Sequence, residues 1–207
     1  MSAWSGCTAT TELVGIVIAP GWPRLLMWWW RHVMDHDSLY ETDICTWAEQ
    51  QAAALRGLAS RTDLPNQLDL PNIIEEIEDV GSNHLSAVGS YILQILSHVV
   101  RAWADPDAQS MSHWTGEVAG FHADLMLRYT PSMRQRIDMA LLWSRALRVA
   151  RAKLEQYHSD IEAPAIRRTI VLATGPCPFI VDDICDEAFA FRAAVQSLDD
   201  RLSAVSS

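Results

Sequence analysis

The chain has 207 residues, enough for one domain with a sizeable core. At 49% hydrophobic and 20% charged residues it is too apolar for intrinsic disorder. A formal net charge of −10 sets the global field against phosphate backbones and anionic lipid surfaces, so neither nucleic acid nor membrane is an expected partner.

The segment from Leu13 to Val33 is apolar, but Pro20, Gly21, Pro23 and Arg24 interrupt it. Neither half approaches the roughly 20 residues of a spanning helix. Trp28, Trp29 and Trp30, followed by Arg31 and His32, offer the one route to a membrane, as an interfacial anchor within residues 13–33. The pattern changes at Met34, where MDHDSLYETD reads as an ordinary cytosolic start. Residues 1–33 are therefore expected to be a non-native or disordered extension, 34–191 the helical domain, and 192–207 the end of the last helix with a frayed tail. Cys7, Cys45, Cys177 and Cys185 lack metal or disulfide spacing and read as reduced, buried thiols of a cytoplasmic protein.

Ser38 and Glu41 form a capping-box pattern, which predicts a helix whose stripe runs through Tyr40, Ile44, Trp47, Ala48, Leu55 and Leu58. Asp69 and Pro71 predict the next start. Ile73, Ile74, Ile77 and Val80 lead to Gly81, a candidate kink or break, and the period continues from Leu85 to Trp103. Trp114, Val118, Phe121 and Leu125 make a shorter helix containing Gly116 and Gly120. Thr130 before Pro131 predicts the start of the longest uninterrupted helix, with Met133, Ile137, Leu141, Ser144, Leu147 and Leu154 running towards Tyr157. Residues 163–181 read as a turn of helix and then loop, since Gly175-Pro176-Cys177-Pro178 breaks the pattern. Asp182 or Asp183 caps a last helix through Ala188, Phe189 and Phe191 to about Leu202. With no repeat and no alternating strand pattern, the expected fold is all-α, a single-domain bundle of about five or six helices.

Several blocks carry a resemblance: Tyr40 to Trp47, PNIIEEIEDVG at 71–81, LSHVVRAW at 96–103, Trp114, PSMR at 131–134 and CPFIVDDICDEAF at 177–189. In this order they resemble domain-of-unknown-function family number twenty-nine, a bacterial family abundant in cyanobacteria and found in proteobacteria. The resemblance covers about residues 38–189. It implies an all-α fold and supplies no activity. Members of that family carry arginines in the helix after the tryptophan, where this chain has Thr115, Gly116, Ala119, Gly120 and His122.

Glu75, Glu76, Glu78 and Asp79 are the densest acidic cluster, and their self-repulsion calls for counter-charge. The structural solution is pairing with Arg134, Arg145, Arg148 and Arg151 on another helix, while the chemical one is a divalent metal held by Glu75, Glu78, Asp79 and His98. A di-metal bundle also wants Glu-x-x-His from two further helices, and only Glu155 to His158 has that spacing. His98 and Arg101, one turn apart near a helix end, suit an anion or ordinary packing. His98 would form an acid/base pair if it met Glu75 or Glu78.

No nucleophile elbow, phosphate loop, dinucleotide fingerprint or HExxH motif is present, and no cofactor is expected. The expected function is non-catalytic: a cytoplasmic helical bundle acting through self-association or a protein partner, with Trp47, Trp103, Trp114 and Trp143 available for interfaces. The alternative is a metal-assisted hydrolase drawing its catalytic residues from Glu75, Glu78, His98, Arg101 and His122. Nucleic-acid binding through the face from Arg134 to Lys153 runs against the net charge.

Overall fold

The computed structural model describes residues 39–205 other than 62, 159, 161 and 162. The expectations for residues 1–33, the cap at Ser38, Cys7 and the last two residues fall outside the described residues. Among the described residues there is no strand, and six helices reach ten residues or more. They are α1 (Ile44–Leu58), α2 (Leu70–Ala104), α3 (Met111–Met126), α4 (Met139–Tyr157), α5 (Pro164–Ala173) and α7 (Phe191–Val205), with a four-residue α6 (Val181–Ile184) before the last.

Asp43 caps the first long helix. Its carboxylate accepts from the Thr46 amide at 3.1 Å and from the Thr46 hydroxyl at 2.8 Å, which satisfies a backbone donor that the helix leaves orphaned. Asp69 caps α2 as expected, accepting from the Asn72 side-chain amide at 2.6 Å, and Pro71 sits in the first turn. α2 then runs unbroken for 35 residues, about 52 Å. Gly81 does not divide it. The residue marks instead the place where α1 crosses closely, with the Cys45 thiol donating to the Gly81 carbonyl at 3.4 Å.

Three expected boundaries move. The stripe from Thr130 to Tyr157 is two elements, because Pro131–Met133 forms only a 3-10 turn that plugs the fully buried Met133 into the core. α4 starts after Asp138, whose carboxylate accepts from the Leu141 amide at 2.9 Å, so α2 and not this stripe is the longest helix. Pro164–Ala173 make a full ten-residue helix rather than a turn, since Ala165, Ile166, Thr169 and Leu172 recur on one buried face. Asp183 does accept from the Ile180 amide at 2.9 Å, but the helix it opens lasts four residues. Asp186 accepts from the Ala188 amide at 2.7 Å and turns the chain, and α7 begins afresh at Phe191.

The main core forms where Val88, Ile92, Ile95, Leu96 and Val99 of α2 meet Trp114, Val118 and Leu125 of α3 and Trp143, Ala146 and Ala150 of α4. Phe179, Ile184, Phe191 and Leu198 close it. A smaller cluster of Leu154, Ala163, Ala165 and Ile166 gathers around Ala104 at the end of α2. α4 runs parallel to α2: Leu142 lies beside Gly89, and His158 beside Asp105 at 3.1 Å. Further towards its N-terminus α2 is covered by α1, through Ala52, Leu70 and Ile74 with Leu55 and Ile77 at their edge.

Candidate functional site

The continuity of α2 decides which predicted residues can work together. Glu75 and Glu78 lie at least 20 positions before His98 on one unbroken helix, so about 30 Å of axis separates the acidic cluster from the histidine. His98 therefore meets neither carboxylate. Among the described residues no group of three or more His, Cys, Asp and Glu side chains gathers as a metal site. Glu155 pairs with Arg151 at 2.8 Å and His158 with Asp105, which leaves the Glu-x-x-His pair with separate partners.

The expected ion pairing also changes partners. Glu78 pairs with Arg56 on α1, not with the arginine row of α4. Arg134 takes Asp182 at 2.5 Å, and the unpredicted pair Arg136 to Glu49 ties the turn before α4 to α1 at 2.6 Å. The reason is the parallel offset. Because α4 begins level with Gly89, Arg145 to Arg151 lie beside the second half of α2 and cannot reach residues 75–79 of the same chain.

His98 and Arg101 do come together, and they do so with two residues of α3 that the sequence reading had not assigned to them, Trp114 and Glu117. His98 is 5% and Arg101 6% exposed. The ring Nδ1–H of His98 donates to the Gln94 carbonyl at 2.8 Å, which fixes the ring and leaves Nε2 pointing at α3. There Nε2 lies 3.1 Å from Glu117 Oε2 and 3.3 Å from Arg101 Nη1. A single ring nitrogen cannot accept from the guanidinium and donate to the carboxylate at once, so the position of one proton decides which bond forms. Glu117 is also 3.4 Å from the exposed His113, which connects the cluster to solvent.

The Arg101 guanidinium stacks on Trp114, 4.4 Å from the ring centre, a desolvated cation–π contact. Its Nε has no partner, and burial draws its affinity for the proton below the ordinary arginine value, with Tyr157 and Glu117 opposing. His122, the remaining predicted residue, lies apart from this group and stacks on Phe189 at 4.9 Å, its Nε2 buried without a partner. The signal for the missed residues was the spacing His113, Trp114, Glu117, which presents one face of α3 to the His98–Arg101 turn of α2.

A second feature is a surface groove of about 330 Å³ between α4, α5 and the loop that follows. Trp143, Leu147, Ile170 and Cys177 give it an apolar lining, and Arg148 and Arg151 supply charge. Ile170 is 48% exposed, and its chain neighbour Val171 is exposed as well. Trp143 itself is buried, and its indole N–H has no acceptor. Residues 139–173 hold six of the sixteen Lys and Arg residues against three carboxylates, a positive stretch in a chain of net charge −10. Of the four tryptophans expected at interfaces, Trp114 and Trp143 are core residues. Trp103 and Trp47 are half-buried, the first donating to Asp199 at 3.2 Å and the second edge-on to Tyr40.

Known proteins add the family and no activity. No curated protein matches the chain. It is similar to a crystallised alpha-helical protein of unknown function from Rhodospirillum rubrum, with 36% identity, a TM-score of 0.66, and 77% of this chain and 96% of that one covered. The family model described as Domain of unknown function DUF29 matches residues 39–190, most of the chain and nearly all of the described helical unit. The chain thus belongs to the DUF29 family, as the order of its sequence blocks implied.

Proposed function

We propose that this chain is a non-catalytic cytoplasmic interaction protein, a helical bundle that docks a protein through the groove between α4 and α5. The observation that carries the reading is the combination of exposed Ile170 and an apolar lining with Arg148 and Arg151, in a positive stretch of an acidic chain. Apolar area flanked by arginine is the composition of interface centres. Among the described residues no helix is long and apolar enough to cross a membrane. The metal-assisted hydrolase draws no support from the geometry, because Glu75, Glu78, His98 and His122 do not converge.

The test is a photoreactive side chain placed at Ile170 in the cell of origin, with the exposed Ser86 as control position. Protein adducts specific to position 170 are the expected result. Equal labelling from both positions overturns the proposal.

A further inference from the structure

Resting on that reading, we infer that the occupant of the groove is a second copy of this chain, which seats the stripe Ile73, Glu76 and Val80 of its own α2 between α4 and α5. The stripe is an uncovered continuation of a covered face. From His84 onward this side of α2 meets the chain just after α3, where the His84 ring donates to the Arg128 carbonyl at 3.0 Å and the Arg128 guanidinium lies over Tyr91. Four and eleven residues before His84 that cover is gone, and Val80 is 44% and Ile73 36% exposed.

The chemistry of the two surfaces matches. The stripe offers two apolar side chains two turns apart with a carboxylate between them. The groove offers an apolar lining and two arginines. No carboxylate among the described residues lies at ion-pair distance from Arg148, and Glu76 has no cation at that distance. The pairing of acidic cluster and arginine row that the sequence called for is thus left unmade within one chain, because the parallel offset of α2 and α4 keeps the two sets apart. Between two copies that constraint vanishes.

Stripe and groove are different surfaces, so the contact is heterologous: each copy gives one and receives one, and the assembly grows head to tail into a ring or an open chain. Both charged groups remain partly hydrated, so salt weakens the assembly.

The experiment is sedimentation of the full chain over a wide concentration range, with Arg148→Glu, Glu76→Lys and their equimolar mixture. The wild type is expected to gain mass with concentration beyond a dimer. Each variant alone, with wild-type circular dichroism, is expected to need at least about tenfold higher concentration to associate, since a charge pair has become a repulsion. The mixture is expected to recover association, because Glu76 of one variant meets Arg148 of the other and the reversed pair forms at the alternate contact. A wild type that stays monomeric, or an assembly indifferent to both reversals, overturns the inference. Retention of adducts to a different protein from Ile170 in that case would leave the docking proposal standing, so the two failures are distinguishable. Should Glu76→Lys unfold, Val80→Ser replaces it as the stripe variant, with loss of association expected and retention overturning.

Discussion

Gly81→Ala and Gly89→Ala place the same methyl group on the same helix in two different surroundings. Alanine is favoured over glycine in a helix interior by about 0.8–1.0 kcal/mol, so local preference stabilises both variants equally. At Gly89 the new Cβ would lie 3.7 Å from Leu142 Cδ2, an ordinary contact with a flexible side chain, and the full gain is expected. At Gly81 it would lie 3.3 Å from Ala48 Cβ and 3.6 Å from both the Cα and the carbonyl oxygen of Cys45. None of those atoms can swing aside, so α1 must move as a body. Overpacking of that kind costs about 1–3 kcal/mol, which cancels or outweighs the helical gain. The difference between the two variants is therefore expected to be about 1–3 kcal/mol, or roughly 2–12 °C in melting temperature for a domain of this size. Urea and thermal unfolding followed by circular dichroism measure it, with Gly116→Ala as a reference whose Cβ meets nothing within 4 Å. Equal stabilisation by all three would refute the seating of α1 on Gly81.

Two further outcomes follow from titratable groups. Burial raises the Asp43 carboxyl, but hydrogen bonds from Ser132 and Thr46 and the charge of Arg136 outweigh it and hold the group below its ordinary value. A depressed carboxyl contributes stability that is present above its unfolded pKa, about 3.9, and is lost as pH falls through its folded value. The advantage of wild type over Asp43→Asn should accordingly be present at neutral pH and shrink in acid, and a pH-independent difference in urea titrations contradicts the charge argument. Burial pushes the Cys185 thiol up to about 12, with Asp182 adding to the effect, and raises Cys45 also. Alkylation of both at mildly alkaline pH, read by peptide mass spectrometry, should follow global unfolding, and fast labelling of either in the native protein counts against its burial.

Much of the fold was legible because α2 and its neighbours advertise themselves locally. Asp69 with Pro71 gave a cap and a first turn, and the apolar period from Leu85 to Trp103 gave the buried face. The boundaries that moved depended on tertiary demands. Met133 is needed as a core plug in a turn, which no helical period can express, and Asp138 wins the cap because Thr130 is engaged with Ser132 at 3.0 Å. The site was legible in part. His98 and Arg101 could be named from their position near a helix end, but Glu117 and Trp114 belong to another helix, and only the packing of α3 on α2 brings them within reach. The arginine row and the acidic cluster were each visible as charge. Their separation was not, because the parallel direction of α4 is a property of the chain path and not of either segment.

The unbroken course of α2 past Gly81 has a mechanical side. The main core grips the helix from Val88 onward, and the 18 residues before that, sheathed by α1, form an arm of about 27 Å with no hinge along it. A rotation of about 3° within the grip would carry Leu70 roughly 1.4 Å sideways over such an arm. Adjustments of packing too small to repack the core would thereby be converted into displacements large enough to change the fit of whatever rests on the outer turns of the helix.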